Sequence, residues 1–286
     1  MKSGEGKIEP IIGRYINVDF KGNSYRIYYE EAGEGIPLCC LHTAGSDSRQ
    51  YHDLLLDEDV TKEFRVLAFD LPSHGKSDPI PGWLDRPYRL TSEFYTGIIV
   101  EFCRSLDLKK PVVMGCSMGG AVVLELALLY PDFFDAVIGL EASDHSSGKL
   151  IKFLNHPRIN SSEFIPLYIS GLISPDAPRE NREKILWHYS QSGLGVFEGD
   201  LFYYYNIDNR DKVGKIDTSK CKVYLLTGEY DYSCTPEMTE ETARKIKGSH
   251  LRIMKGLGHF PMAENYPVFK KYLMPILEDI KKRRSF

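Results

Sequence analysis

The sequence has no long hydrophobic stretch. No uninterrupted apolar run approaches the ~20 residues that a membrane-spanning helix needs. The first residues, Met1 to Gly6, are polar and lack the apolar core of a secretion signal. Both absences argue against a function inside or at a bilayer. We therefore expect a cytoplasmic protein that does not bind membranes.

An excess of charge of one sign is also missing. The 36 Lys and Arg residues and the 40 Asp and Glu residues are well mixed and leave a net charge of −4. No basic stripe indicates a nucleic acid partner, and no acidic block indicates a disordered tail. The one cluster, Lys281 to Arg284, is typical of a solvated helix end, where cations suit the negative pole of the helix. Nothing in the sequence indicates the oligomeric state.

Cysteine pairs with the spacing of a metal or redox site are absent as well. The chain has six cysteines, mostly inside apolar runs, and none has C-x-x-C spacing. We therefore expect reduced, buried thiols, as in cytoplasmic proteins. The sequence also has no G-x-G-x-x-G motif, no phosphate loop and no clustered metal ligands, so we expect no cofactor and no metal.

The sequence does contain short apolar runs that alternate with helical patterns. Ile12–Phe20 and Ser24–Glu30 flank Lys21-Gly22-Asn23, which predicts an antiparallel hairpin. The later runs are Ile36–Leu41, Arg65–Phe69, Val112–Met114, Ala136–Leu140, Val223–Leu226 and Leu251–Met254. Helical patterns cover roughly Thr91–Leu106, Met118–Leu129, Pro236–Ile246 and Pro267–Lys282. Uninterrupted apolar strands that alternate with helices predict the α/β class, with a mostly parallel central sheet and helices on both faces.

One stretch interrupts the alternation of strands and helices. From residue 146 to residue 217 there are helical pieces and many aromatic side chains, but no convincing strand. We interpret this stretch as a helical cap, or lid, inserted between the sixth and seventh strands of the sheet. The predicted domains are a core of residues 1–145 and 218–286 and a cap of residues 146–217.

A serine follows one of the predicted strands in a distinctive turn. Gly115-Cys116-Ser117-Met118-Gly119 joins a strand to a helix, and G-x-S-x-G in this context is typical of a catalytic nucleophile. The glycines permit close approach of strand and helix, and the helix start offers free N–H groups to an oxyanion. We predict that Ser117 is the nucleophile and that Cys116, which points elsewhere, has a packing role.

A serine hydroxyl needs a base, and the base needs an acid that orients it. His259 follows the last predicted strand in a glycine-containing loop, at the sheet edge that must also present Ser117. Asp231 follows the preceding strand. We predict His259 as the general base and Asp231 as the acid that fixes its tautomer, with Glu229 as the nearest rival acid.

The loop after the predicted strand Ile36–Leu41 is a candidate for part of an oxyanion hole. Such a hole needs two converging N–H groups, one from the residue after the nucleophile and one from this loop. Met118 follows Ser117 and supplies the first group. Ala44 is the best candidate for the second group, and Thr43 is the next.

These motifs resemble those of the α/β-hydrolase superfamily, and the resemblance covers about Ile12 to Ile280. Ser117 lies in the nucleophile elbow, and Asp231 lies in a loop similar to the acid loop of the family. His259 lies in Gly258-His259-Phe260-Pro261, as in many members. The chain order of serine, aspartate and histidine is also that of the superfamily. The resemblance implies the α/β-hydrolase fold and a Ser-His-Asp triad.

Two further segments bear on this resemblance. Residues 70–77 resemble the D-x-P-x-x-G-x-S turn after the fourth strand, whose role is mainly structural, so His74 is expected to be non-catalytic. Many members have His-Gly in the oxyanion loop, whereas here His42 is followed by Thr43. This departure leaves either Ala44 or Thr43 as the loop donor, and it leaves the Thr43 hydroxyl available to a substrate.

The resemblance implies a two-step acyl transfer on a small-molecule substrate. We expect hydrolysis of a carboxylic ester, lactone or thioester through an acyl-enzyme. The alternatives are hydrolysis of a carbon–carbon bond in a diketone-like substrate and a slow-turnover ligand receptor of the same fold. The aromatic side chains of the cap predict a partly apolar pocket. The predicted substrate contacts are Thr43, Trp187 and Phe260.

Polar residues at the end of the sixth predicted strand have two interpretations. Glu141, Asp144 and His145 either face the pocket and select a polar group of the substrate, or they anchor the cap. Glu141 and Asp144 also lie where some relatives of this superfamily carry the acid of the triad.

Overall fold

An eight-stranded sheet runs through the molecule. The computed structural model describes residues 6–146, 154, 156 and 158–284. The strands are β1 (Ile12–Phe20), β2 (Asn23–Ala32), β3 (Ile36–Leu41), β4 (Phe64–Phe69), β5 (Val112–Cys116), β6 (Ala136–Leu140), β7 (Lys222–Gly228) and β8 (His250–Met254). Their order in the sheet is β1-β2-β4-β3-β5-β6-β7-β8. The pairs β1–β2 and β2–β4 are antiparallel, and all other neighbours are parallel. The predicted α/β architecture with an N-terminal hairpin is confirmed.

The hairpin turn is one residue shorter than the predicted turn. Phe20 pairs with Asn23, so only Lys21 and Gly22 form the turn and Asn23 begins β2. Both turn residues have positive φ, 50° for Lys21 and 78° for Gly22. Two central residues with positive φ match the right-handed twist of the strands that they connect.

Helices cover both faces of the sheet. They are α1 (His52–Leu55), α2 (Glu58–Thr61), α3 (Ser92–Ser105), α4 (Met118–Leu129), α5 (Ser161–Ser170), α6 (Arg179–Ser190), α7 (Val196–Asn206), α8 (Pro236–Lys245), α9 (Pro261–Glu264) and α10 (Tyr266–Arg284). Val113 of β5 belongs to the apolar cluster that contains α3 and α4, whereas Met114 belongs to the cluster that contains α10. Successive side chains of a strand point to opposite faces, so each buried strand contributes to two cores. Within the described residues, no helix is long and apolar enough to cross a membrane.

The stretch between β6 and β7 is helical where the structure describes it. Its helices α5, α6 and α7 lie in the region for which a cap was predicted, and we call residues 146–217 the inserted segment. The described part of this segment makes one isolated β-bridge, between His145 at its border and Asp208. The division of the chain into a core domain and a cap domain remains a prediction.

The parallel strands bring their carboxyl ends to one edge of the sheet. The loops that follow β3, β5, β6, β7 and β8 therefore lie at the same edge. In open α/β sheets this edge is where ligands bind. The predicted catalytic residues all lie in or beside these loops.

Candidate active site

Ser117 occupies a strained turn between β5 and α4. Its φ of 58° and ψ of −115° are a combination that residues other than glycine rarely adopt. A Cβ on Gly115 would lie 2.3 Å from the Gly119 carbonyl oxygen, and a Cβ on Gly119 would lie 2.8 Å from the Leu41 carbonyl oxygen. Both positions therefore require glycine. Ser117 is buried, and its N–H donates to the Leu140 carbonyl at 3.0 Å.

His259 and Asp231 form a buried hydrogen-bonded pair. Nδ1 of His259 lies 2.7 Å from Oδ2 of Asp231. The other oxygen, Oδ1, accepts from the N–H groups of Ser233 at 2.8 Å and Cys234 at 3.2 Å. Because an ionised carboxylate only accepts hydrogen bonds, the proton lies on Nδ1 and Nε2 is left free to accept another. His259 and Ser117 line the same cavity, so the structure brings the three predicted triad residues together.

The cysteine beside the nucleophile is directed away from the cavity. Cys116 is fully buried, and its Sγ donates to the His259 carbonyl at 3.1 Å. Burial raises the pKa of this thiol well above its usual value, so the thiol stays protonated and unreactive. All six cysteines are buried, and none forms a disulfide. The structure agrees with the predicted packing role of Cys116.

Two of the rival acids, Glu229 and Glu141, accept hydrogen bonds from backbone N–H groups in the loop after β8 and at the end of β7. Oε1 of Glu229 accepts from the N–H of Gly256 at 2.8 Å. Glu141 is fully buried, and both of its oxygens lie 3.0 Å from the N–H of Gly228. Burial raises the pKa of Glu141, and the charge of nearby Asp231 raises it further. Glu141 therefore supports the loop of Asp231, and it is Asp231 that contacts His259.

The remaining polar residues at the end of β6 bind the surrounding structure. Asp144 lies 2.6 Å from Nζ of Lys245 and 2.8 Å from Nδ1 of His145. Its carbonyl accepts from the N–H of Asn209, in the inserted segment, at 2.7 Å. Neither Asp144 nor His145 is among the residues that line the cavity of Ser117. Their contacts support the anchoring interpretation.

Thr43 has no N–H to offer because that group is already used. It donates to Oε1 of Gln50 at 3.0 Å. The Thr43 hydroxyl is hydrogen-bonded to the same amide at 3.2 Å and to the hydroxyl of Tyr189. Thr43 therefore lines the cavity with a hydroxyl that is held by two partners.

Ala44 has an N–H group that no described residue uses. The Thr43 carbonyl accepts from Nδ1 of His42 at 2.9 Å and from the N–H of Ser46 at 3.2 Å. Burial lowers the pKa of His42 to about 4, so its ring is neutral at pH 7. The C=O and N–H of a trans peptide point in opposite directions, so these contacts turn the Ala44 N–H away from them. Within the described part of the chain this N–H has no hydrogen-bond partner, and Ala44 lines the cavity with Ser117.

Met118 begins α4 directly after Ser117. N–H groups in the first turn of a helix have no acceptor within the helix, and the positive pole of the helix dipole lies there. The Met118 side chain is fully buried. Only its backbone is therefore able to serve an oxyanion.

The cavity beside Ser117 is small and rich in tyrosine. Its free space is about 20 Å³, which is about what one water molecule needs. The core contributes Thr43, Ala44, Ser117, Ser233 and His259 to its walls. The inserted segment contributes Tyr168, Ile169, Leu172, Tyr189, Phe197, Leu201, Tyr204 and Tyr205.

Two of the three predicted substrate contacts do not line the cavity. Trp187 is 62% exposed, whereas Tyr189 on the same helix is 1% exposed and lines the cavity. Residues two positions apart lie about 200° apart around a helix, so one faces outward when the other faces inward. Phe260 is fully buried behind the cavity wall, with its ring edge-on to His259 at 4.9 Å between centroids. The structure corrects both predictions, and Thr43 is the predicted contact that does line the cavity.

His74 lies outside the cavity, in a buried pair with Asp200. Neither Asp200 nor Tyr189 was predicted from the sequence. A signal for Tyr189 exists, because Ile185 and Tyr189 are four residues apart, share one helix face and are both buried. No local pattern marks Asp200, because its partner His74 is 126 residues away in the chain.

Comparison with protein families settles which fold this site belongs to. A family model described as the alpha/beta hydrolase fold matches residues 36–179. The chain belongs to this family. The match includes the loop of Ala44 and the Ser117 turn, and it confirms the resemblance inferred from the motifs.

Curated relatives of this α/β-hydrolase include proteins of known and unknown substrate. The uncharacterized hydrolase YugF of Bacillus subtilis (strain 168) is 29% identical over 275 residues, which cover 90% of this chain and 94% of YugF. A 2-hydroxy-6-oxononadienedioate/2-hydroxy-6-oxononatrienedioate hydrolase of Escherichia coli O139:H28 is 28% identical over 133 residues, 46% of this chain and 44% of that protein. With several relatives the alignment thus spans less than half of the relative's length.

Solved structures of other proteins share the fold over nearly the whole chain. A malate-bound thermophilic esterase from Thermogutta terrifontis has a TM-score of 0.82 at 22% identity, covering 93% of this chain and 99% of the esterase. The enol-lactonase from Burkholderia xenovorans LB400 has a TM-score of 0.80 at 18% identity, covering 93% and 100%. At these identities the likeness shows the α/β-hydrolase fold.

Proposed function

We propose that this α/β-hydrolase is a serine hydrolase that cleaves a carboxylic ester, lactone or thioester of a small molecule. One observation carries the proposal: Nδ1 of His259 lies 2.7 Å from Asp231, and His259 lines the same cavity as Ser117. An imidazole oriented by a buried carboxylate is the arrangement that activates a serine hydroxyl for acyl transfer. The apolar and phenolic walls of the cavity favour a partly apolar substrate.

The reaction proceeds in two steps. Nε2 of His259 takes the proton of Ser117 as Oγ forms a bond to the substrate carbonyl carbon. The carbonyl oxygen becomes an oxyanion, which accepts hydrogen bonds from the N–H groups of Met118 and Ala44. Collapse breaks the bond to the leaving group, which receives the proton from Nε2, and an acyl ester remains on Ser117. Water then attacks this ester by the same route, the acid departs, and Ser117 regains its proton.

Relatives support this substrate class and favour one further candidate. Two proteins of the same fold are an esterase and an enol-lactonase by name. The Escherichia coli relative is a hydrolase of 2-hydroxy-6-oxononadienedioate and 2-hydroxy-6-oxononatrienedioate. This relation favours carbon–carbon bond hydrolysis of a diketone-like substrate as the second candidate, since the same three residues can serve it.

The test compares the wild type with Ser117→Ala and with the matched control Cys116→Ala. Each protein is treated with a fluorophosphonate probe and then offered short-chain p-nitrophenyl esters and a diketone-like substrate. We expect the wild type and Cys116→Ala to be labelled and to hydrolyse the esters, and we expect Ser117→Ala to do neither.

The other outcomes separate the alternatives. Turnover of the diketone-like substrate alone supports the second candidate, and labelling without turnover of either substrate indicates a slow ligand receptor. Labelling that persists in Ser117→Ala and is lost in Cys116→Ala overturns the assignment of the nucleophile. A wild type that reacts with neither the probe nor a smaller sulfonyl fluoride overturns the hydrolase proposal.

A further inference from the structure

We infer that Asp200, in the inserted segment, is a positioning residue that fixes the loop carrying the second oxyanion donor. The inference rests on the proposed acyl transfer and adds to it. In this view α7 does more than cover the cavity: the oxyanion hole has its active shape only while Asp200 holds the backbone beside Ala44. Three sets of contacts support this role.

The first set is made by the carboxylate itself. Asp200 is fully buried. Its Oδ2 accepts from the N–H of Gly45 at 2.7 Å and from Nε2 of His74 at 2.7 Å, and its Oδ1 accepts from the hydroxyl of Tyr88 at 3.1 Å. Hydrogen bonds to an ionised acceptor are roughly twice as strong as neutral ones. A buried charge of this kind is tolerated only where such partners satisfy it.

The second set concerns His74, which supplies the opposite charge. Its Nδ1 lies 3.2 Å from the Pro72 carbonyl and its Nε2 faces Asp200, so both ring nitrogens face acceptors. An imidazole satisfies two acceptors only when both nitrogens carry a proton. Burial lowers the pKa of His74, but its partners, Asp200 foremost, raise it by more. Asp200 and His74 therefore form a buried ion pair between the inserted segment and the core.

The third set lies in the oxyanion loop. The core holds the peptide group between Thr43 and Ala44, because His42 and Ser46 donate hydrogen bonds to the Thr43 carbonyl. Asp200 of α7 holds the next peptide group, between Ala44 and Gly45, because it accepts from the Gly45 N–H. The orientation of Ala44 is thus fixed at both of its peptides, one by the core and one by α7.

Helix α7 packs closely against this loop at Gly45. Its φ is +68°, and a Cβ there would lie 2.7 Å from the ring of Phe197. Phe197 lines the cavity three residues before Asp200. Glycine at position 45 therefore serves both the backbone turn and the close approach of α7.

The test compares Asp200→Asn with the matched control Tyr88→Phe. Asp200→Asn keeps the size of the side chain but removes its charge, whereas Tyr88→Phe removes only the contact to Oδ1. An oxyanion hydrogen bond acts mainly in the transition state, so we expect Asp200→Asn to lower kcat by about 10-fold without raising KM. We expect Tyr88→Phe to leave kcat within about 2-fold of wild type. A raised KM with unchanged kcat, or equal effects of the two variants, overturns the inference.

A second readout does not depend on activity. In protein labelled with ¹⁵N-glycine, the amide proton of Gly45 should lie downfield in the wild type and in Tyr88→Phe, and should move upfield in Asp200→Asn. A shift that moves without any change in kcat overturns the positioning role. If the wild type hydrolyses none of the substrates, the proposed function is wrong. In that case the chemical shift of the Gly45 amide proton still shows whether Asp200 accepts its hydrogen bond.

A further variant covers the case in which Asp200→Asn does not fold. His74→Gln can still donate to Asp200 but removes the positive charge of the pair. We expect it to lower kcat in the same direction by a smaller factor, again without raising KM. An unchanged kcat in folded His74→Gln overturns the inference.

Discussion

The core and the inserted segment meet at one cavity but contribute to it by different means. The core supplies Ser117, Asp231 and His259 from loops that follow β5, β7 and β8, so their positions follow from strand ends and tight turns. The inserted segment supplies walls such as Tyr189, whose position depends on which face of α6 is turned inward. The comparison teaches that local motifs can encode the candidate catalytic residues, whereas the walls of the cavity are determined by the packing of distant segments.

Buried carboxylates cross the boundary between these regions, and two of them lie beside the candidate site. Asp200 extends from the inserted segment to the N–H of Gly45, in the loop after β3. Glu264 extends from the core to the N–H of Ser174 in the inserted segment and also accepts from the N–H of Gly258, beside His259. Contacts between the core and the inserted segment therefore support the candidate site both at the Ala44 loop and beside His259.

The largest effect is expected from a change in the core. In Asp231→Asn the amide can donate to Nδ1, so His259 adopts the wrong tautomer, and kcat should fall by about 10³- to 10⁴-fold. Steady-state kinetics with a p-nitrophenyl ester measure this loss. The matched control, Glu141→Gln, changes a buried carboxyl at the end of β6 that binds the N–H of Gly228 but does not contact the histidine, and its loss should be far smaller. Equal losses in the two variants would contradict the assignment of the acid to Asp231.

A smaller effect is expected where the core holds the inserted segment. In Glu264→Gln an NH₂ group replaces one of two accepting oxygens and faces a backbone N–H. The free energy of unfolding should fall by about 1–3 kcal/mol, which denaturation in urea measures. The control Glu229→Gln alters an exposed carboxylate that accepts one N–H and should stay within about 0.5 kcal/mol of wild type. An equally large loss of unfolding free energy in Glu229→Gln would contradict a special role for the contacts of Glu264 with Ser174 and Gly258.

The same glutamate predicts a pH dependence of stability. Burial raises the pKa of Glu264 from 4.5 to about 7, although the N–H groups of Ser174 and Gly258 lower it. A raised pKa means that folding favours the protonated form. The contribution to stability is therefore fully present below about pH 4.5 and is lost as the pH rises through about 7. Because the amide of Glu264→Gln does not titrate, the unfolding free energy of the wild type should fall relative to that of the variant as the pH rises from about 4.5 through about 7, and a relative rise would refute the raised pKa.

The smallest effect is expected in the wall that the inserted segment provides. Tyr189→Phe removes the hydroxyl that contacts Thr43 and keeps the ring, so kcat/KM should fall by about 2- to 10-fold. The control Trp187→Phe changes the exposed face of the same helix and should have no effect. If Trp187→Phe lowers kcat/KM and Tyr189→Phe does not, then α6 does not turn Tyr189 toward the cavity.

Much of the fold could be predicted because its signals are local. The strands Ile36–Leu41 and Ala136–Leu140 end where their apolar runs end, so prediction and structure agree at both ends. The positions of Ser117 and His259 could be predicted because each lies in a short motif directly after a strand.

The errors concern side chains whose position depends on distant contacts. Trp187 and Tyr189 are both large and aromatic, and only the seating of α6 decides that Tyr189 is the one facing inward. Phe260 follows His259 directly and packs against its ring, which nothing in the motif indicates. The pair of Asp200 and His74 joins residues 126 positions apart, and a single sequence has no periodicity at that distance.

The small volume beside Ser117 has a consequence for how affinity is to be understood. About 20 Å³ accommodates a water molecule but not an acyl group. If the proposed acyl transfer takes place here, side chains of the tyrosine-rich wall have to move before an acyl group reaches Ser117, and the observed affinity then includes the free energy of that movement. In that case a variant that loosens α7 is expected to admit substrate more readily while it disturbs the loop of Ala44. Such a variant can hold its substrate more tightly and yet hydrolyse it more slowly.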